Sequence, residues 1–149
     1  MRHRVREGIR AGIVAAAATA GALVALGRSH GAALRPLNSV AHMLVGSRAY
    51  YMEGASWITA VGIAVHLLSV TAWGVILSFA TTRIRGWTLY AAAVLFASAT
   101  WTIDYHIVPD RLRPGFESGL SGAEIAIVYI VLGLSLAWGL DRERQGDGG

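Results

Sequence analysis

The stretch WITAVGIAVHLLSVTAWGVILSFA, residues 57–80, decides the fold class of this chain. It contains no Asp, Glu, Lys or Arg, and its only titratable side chain is His66. A helix needs about 20 predominantly apolar residues to cross the hydrocarbon core of a bilayer. The stretch therefore predicts a transmembrane helix.

Three further apolar stretches, residues 11–27, 87–108 and 120–140, are predicted to span the membrane as well. Only 15% of all residues are charged, against roughly 25% in a typical soluble domain. We expect an all-α integral membrane four-helix bundle that forms one domain over residues 1–140. Residues 141–149 are expected to form a polar, disordered cytoplasmic tail. The N-terminal stretch, residues 11–27, also fits a cleaved signal peptide. A retained span and a cleaved signal peptide both stay open.

The basic residues predict the orientation, since Lys and Arg in short loops are retained on the cytoplasmic side. All 13 are arginines. They flank apolar stretches, so a nucleic-acid partner is not expected despite the net charge of +4. Eight lie before the first span, in the link 81–86 or after the last span, which predicts cytoplasmic termini: Arg2, Arg4, Arg6, Arg10, Arg83, Arg85, Arg142 and Arg144. The other five are expected outside: Arg28, Arg35, Arg48, Arg111 and Arg113.

A short amphipathic helix is predicted between the first two spans. Leu37, Val40, Ala41, Leu44 and Val45 follow the spacing of one helical face, and Asn38 or Ser39 is a candidate cap for its start. We expect this helix to lie on the outer membrane surface with its apolar side down.

Polar and small side chains form stripes on the predicted spans. On the second span the stripe is expected to face protein, because lipid offers its polar members no partner. On the third span Trp101 and Asp104 share a face, whereas His106 lies about 200° away from Asp104. The first span shows Gly and Ala at steps of four and is interpreted as a packing helix without chemistry. The interhelical packing stripe comprises Thr59, Gly62, Ser69, Trp73 and Trp101, together with His66.

The titratable groups in the outer half of the predicted bundle define a candidate polar site: His66, Asp104, Glu124, His42 and His106. Three of these residues also have a purely structural interpretation. Asp104 would pair with Arg111 or Arg113 at the interface, Glu124 would favour the first turn of its helix, and His66 would hydrogen-bond a serine or a carbonyl of a neighbouring helix.

The functional alternative is a metal, haem, quinone or proton-relay site, since an ionisable group inside a span is costly. The chain has no cysteine, no HExxH motif and no pair of histidines at i and i+4. No cofactor is therefore predicted, metal or haem being the alternative, and catalysis is not indicated. The outer loop PDRLRPGFE, with Asp110, Arg111, Arg113 and Glu117, is the expected recognition surface.

Two segments, PLNSVAHMLVGSRA and DYHIVPDRLRPGFE, resemble a group of small, uncharacterised four-span membrane proteins of bacteria. The resemblance implies a location in the bacterial inner membrane and a four-helix layout, but it supplies no activity. We expect a small binding or accessory subunit with its recognition surface on the periplasmic side. Its partners would be the lipid bilayer and a larger membrane-protein complex or a second copy of the chain.

Overall fold

The computed structural model describes residues 1–146 and is all-helical, with no β-strand in that range. A π-helix, Ile103–Ile107, follows α5 directly. Three 3₁₀ segments occur in the loops, at Ser47–Tyr51, Asp110–Leu112 and Phe116–Ser118. The α-helices are α1 (Arg2–Ser29), α2 (Arg35–Val40), α3 (His42–Val45), α4 (Trp57–Ala80), α5 (Trp87–Thr102) and α6 (Gly122–Gly146).

Three helices are long and apolar enough to cross a membrane, namely α1, α4 and α6. The bounds of α4 match the predicted span 57–80, whereas α1 and α6 extend beyond the predicted 11–27 and 120–140. The predicted span 87–108 is not one regular α-helix, because α5 ends at Thr102 and its backbone continues as the π-helix.

Helix α6 continues to Gly146, so the prediction of a disordered tail from residue 141 is wrong over 141–146. Arg10 of α1 donates a hydrogen bond to Glu143 over 2.8 Å, and this contact holds the last turns of α6 against the first helix. Residues 147–149 of the predicted tail lie outside the described residues.

Helix α1 is the centre of the fold, since it packs on both α4 and α6, and α5 packs on α6. Glycines let α1 approach α4 closely: a Cβ placed on Gly74 would lie 2.8 Å from the Cα of Gly12. Although α4 and α5 are consecutive in sequence, they barely touch. The main bridge between them is an edge-to-face contact of the Trp73 and Phe96 rings, with centroids 5.7 Å apart.

The predicted surface helix is instead packed against protein and is divided into α2 and α3 at Ala41. Leu37 and the polar Asn38 are both buried, whereas Leu44 on the same predicted apolar face is 70% exposed. The cause is Gly62 of α4, whose missing side chain leaves room for the backbone carbonyl of Leu37. The expectation of an apolar side turned towards lipid is therefore wrong for α2.

Asn38 caps no helix, contrary to the sequence prediction; it ties the loop to α4. Its side-chain amide donates to the carbonyls of Met52 and Gly54 over 2.7 and 3.1 Å. Its side-chain oxygen accepts from the Thr59 hydroxyl over 2.6 Å. The start of α4 is itself capped by Ser56, whose hydroxyl accepts from the Ile58 amide.

Arg144 is buried at the opposite end of the helices, where the sequence predicted a solvated residue. Its guanidinium donates to the carbonyls of Thr81 and Ile84 over 3.0 and 2.8 Å, and to the Thr81 hydroxyl over 3.2 Å. Its Nε lies 3.9 Å from the carboxylate of Glu7, which is also buried. This arginine therefore joins α1, α6 and the link between α4 and α5.

Candidate functional site

A cavity of about 310 Å³ lies between α4 and α5, in the place where these two helices do not touch. This volume is at the lower end of the range of about 300–1,000 Å³ for small-molecule sites. Its walls are mainly apolar and include Val70, Ile76, Val128 and Leu132. Its polar lining residues are Thr19, His66, Ser69, Thr100, Asp104 and Tyr129.

His66 is buried in α4 and hydrogen-bonds to α1. Its Nε2 lies 2.9 Å from the Thr19 hydroxyl oxygen and 3.3 Å from the Ala16 carbonyl oxygen. A carbonyl can only accept, and the Thr19 hydroxyl donates its proton to the Ala15 carbonyl over 2.7 Å. Nε2 is therefore the protonated nitrogen, and Nδ1 of the neutral ring is an acceptor.

These contacts confirm the predicted hydrogen bond of His66 to a carbonyl of a neighbouring helix. The hydroxyl partner is a threonine rather than the expected serine. The interpretation of the first helix as a packing helix without chemistry did not single out Thr19, the one hydroxyl in an alanine-rich run. That isolated hydroxyl was the available signal.

Asp104 is half-buried in the π-helix, and its Oδ2 accepts a hydrogen bond of 2.6 Å from the Tyr129 hydroxyl. The predicted pairing of Asp104 with Arg111 or Arg113 is wrong, since Asp104 forms no ion pair within residues 1–146, and Arg113 pairs with Asp110 over 2.9 Å. Helix α6 packs on α5 and thus supplies the partner of Asp104. Tyr129 was missed, although it is the only hydroxyl in the run AIVYIVLG.

Glu124 lies away from the cavity, in the first turn of α6, as its structural interpretation predicted. One carboxylate oxygen accepts from the Ser121 amide over 2.8 Å. The other lies 2.7 Å from Nε2 of His30. Glu124 therefore joins the start of α6 to the loop after α1.

His42 and His106 also lie outside this cavity. His42 is buried, with Nδ1 2.8 Å from the Ser39 carbonyl oxygen. His106 is exposed and stands edge-on to the Trp101 ring, with centroids 5.3 Å apart. Of the five candidates for the polar site, the structure brings only His66 and Asp104 to one cavity.

A second pocket, of about 520 Å³, lies among the loops at the same end. It is lined by His42 and Tyr50 on one side and by Asp110 and Arg111 of the predicted recognition loop on the other. Burial raises the pKa of the Tyr50 hydroxyl, and the nearby carboxylates of Glu117 and Asp110 raise it further. The predicted recognition loop is thus partly folded onto α3.

The predicted packing stripe is confirmed in part. Thr59 and Gly62 are buried against the α2 segment. Ser69 is exposed and Trp73 is half-buried, and both line the cavity. Trp101 is 40% exposed and does not face the interior. The helical wheel assigned Trp101 and Asp104 to one face, but it assumed a regular α-helix where the backbone becomes a π-helix.

Within residues 1–146, no group of three or more His, Cys, Asp or Glu residues is arranged to hold a metal ion. The predicted candidates are spread over the cavity, the loop pocket and the surface. The chain matches no family model, curated protein or solved structure in the comparisons made. The chemistry of the cavity is therefore the main guide to function.

Proposed function

We propose that this chain is a four-span integral membrane protein that binds a small lipophilic molecule in the cavity between α4 and α5. The observation that carries the proposal is the cavity itself, which has apolar walls and a few polar groups. Such a lining is typical of small-molecule sites. Because α4 and α5 barely touch, a ligand would reach the cavity from the lipid between them.

The outward surface of the helices supports a membrane location. Leu68 of α4 and Leu95 of α5 are 70% and 72% exposed, and many further apolar side chains point outward. Exposed apolar surface of this extent is costly in water. The 16-residue α5 and the five-residue π-helix form one helical segment, which reaches the length of about 20 residues that a fourth span needs.

The arginines support an orientation with both termini in the cytoplasm. The location in a bacterial inner membrane is proposed from the resemblance of PLNSVAHMLVGSRA and DYHIVPDRLRPGFE. Helix α1 is proposed to be retained as a span and not cleaved as a signal peptide. Its Gly12 packs against α4, and its Thr19 is the hydrogen-bond partner of His66.

Tryptophan quenching tests the proposed site, because Trp73 lines the cavity. The purified protein in lipid nanodiscs would be titrated with 4-bromotoluene, whose bromine quenches indole fluorescence on contact. We expect saturable quenching that is lost in Trp73→Phe. Ala72→Phe, which fills the cavity lining, should also abolish it, whereas Ala64→Phe on an exposed part of α4 should not. Quenching that rises linearly in all variants would contradict a defined site.

A second candidate function is the accessory subunit expected from the sequence. Leu44 of α3, Ile107 at the end of the π-helix and Leu112 of the outer loop are 70%, 70% and 51% exposed. Helix α3 and the outer loop lie close together, since the His42 ring reaches the Asp110 carbonyl. Copurification from native membranes tests this function. A stoichiometric partner that is lost in Leu112→Asp would support it, and a chain isolated alone at full yield from mild detergent would contradict it.

A further inference from the structure

Four hydrogen-bond donors around the cavity, those of Thr19, His66, Thr100 and Tyr129, are used within the protein. The Thr100 hydroxyl donates to the Phe96 carbonyl over 3.0 Å, and the Tyr129 hydroxyl donates to Asp104. The only N–H of the neutral His66 ring points to α1. Among the described lining residues, a ligand whose polar group is a carbonyl, such as a quinone, would find only the Ser69 hydroxyl and the Trp73 indole N–H free to donate.

Two acceptor atoms at the cavity are free as well. Nδ1 of His66 and Oδ1 of Asp104 have no hydrogen-bond partner within residues 1–146. Neither atom is among the solvent-inaccessible side-chain nitrogen and oxygen atoms that lack a hydrogen-bond partner. Both atoms therefore reach open space, and both residues line the cavity.

One of these acceptors belongs to a carboxyl group that no cationic side chain in the described part of the chain neutralises. The arginine of the nearby loop, Arg113, is paired with Asp110. A charge in surroundings of low dielectric constant attracts an opposite charge more strongly than it would in water. Trp73 and Tyr129 add aromatic rings to the same lining, and such rings attract cations.

From these contacts we infer that the ligand between α4 and α5 is a small lipophilic amine, bound as its ammonium ion; this inference rests on the proposed function. The ammonium donates hydrogen bonds to Asp104 Oδ1 and His66 Nδ1, and the apolar part of the ligand lies against the cavity walls. If Asp104 carries a proton before binding, its O–H bond breaks and a new N–H bond forms on the amine. The same carboxylate–ammonium pair results.

The Trp73 quenching assay tests this inference with four bromophenyl compounds at neutral pH. They are 4-bromotoluene without a polar group, 4-bromoacetophenone with an acceptor only, 4-bromobenzylamine, and 4-bromobenzyltrimethylammonium with a charge but no N–H donor. Hydrogen bonds to charged groups are the stronger ones. We expect the amine to bind about tenfold or more tightly than the ketone, and the quaternary ion to bind more weakly than the amine.

Asp104→Asn removes the charge but leaves an oxygen that accepts from Tyr129. It should lower the affinity for the amine about tenfold or more and leave 4-bromotoluene binding unchanged, which shows that the cavity is intact. Glu124→Gln is the matched control, because Glu124 is not in the cavity lining. It should retain the amine preference.

Equal affinities of amine and ketone in the wild type would overturn the inference, as would an amine preference that survives Asp104→Asn. Equal affinity of the amine and the quaternary ion would overturn the donor requirement. These outcomes differ from failure of the proposed function, in which 4-bromotoluene itself shows no saturable quenching.

Discussion

Replacing Arg144 by Met should destabilise the protein strongly, although Arg144 lies in a segment of ordinary polar appearance. The side chain donates three hydrogen bonds, to Thr81 and Ile84, and shares a buried site with Glu7. Removing one partner of a buried ion pair costs about 3–5 kcal/mol. We expect a loss of this size in the free energy of unfolding, measured by denaturant titration in mixed micelles.

Arg142→Met is the matched control, since Arg142 is exposed and only stacks on the Trp138 ring at 5.2 Å. An exposed cation–π contact contributes about 0.5–1 kcal/mol. The double variant Glu7→Gln/Arg144→Met should lose less than the sum of the two single variants, because the two residues share one site. A decrease of less than about 1 kcal/mol in the free energy of unfolding of Arg144→Met would refute the claim that buried Arg144 joins α1, α6 and the link between α4 and α5.

Three further substitutions, with Gly21→Ala in α1 as a control, test the packing around α4, each by the free energy of unfolding. Gly62→Ala should cost about 1–3 kcal/mol because its Cβ meets the α2 backbone, whereas Gly21→Ala, with open space around it, should stabilise α1 by up to about 1 kcal/mol. Asn38→Leu should cost about 3 kcal/mol, since the buried Asn38 side chain loses three hydrogen bonds, to Met52, Gly54 and Thr59, at about 1 kcal/mol each. Thr19→Val should cost about 1 kcal/mol by removing an acceptor of His66. A change near zero in the free energy of unfolding for Gly62→Ala, Asn38→Leu or Thr19→Val would contradict the contact that the substitution tests.

Periodicity and hydropathy predicted the helices well where one face had to be apolar over the whole length. The bounds of α4 are an example, because Ser56 caps its start and the apolar run ends at Ala80. The same signals also predicted that His66 would face another helix, since a polar ring in an apolar run needs a partner.

The partner of Asp104 could not be predicted, because it depends on which helices are neighbours. Helix α6 packs on α5 and brings Tyr129 to Asp104, whereas Arg113, one of the two arginines nearest in sequence, pairs with Asp110. The irregular π-helix also displaces side chains from the faces of an ideal wheel. Trp101, which was predicted to share a face with Asp104, lies in the regular α5 before the π-helix and is 40% exposed.

Hydrophobic periodicity also gave no indication that the polar residues Asn38 and Arg144 would be buried. Asn38 is buried by its bonds to the carbonyls of Met52 and Gly54, and Arg144 by its bonds to the link between α4 and α5. Both bind backbone groups that are distant in sequence, and a hydropathy pattern carries no information about them.

The position of a bound ligand tests the central claim most directly. A crystal of the protein grown with 4-bromobenzylamine would give an anomalous bromine signal. We predict one bromine peak between α4 and α5, beside Trp73, with the ammonium group directed at Asp104. A bromine peak confined to the outer helix surface or the loop pocket, with the cavity unfilled, would contradict the claim.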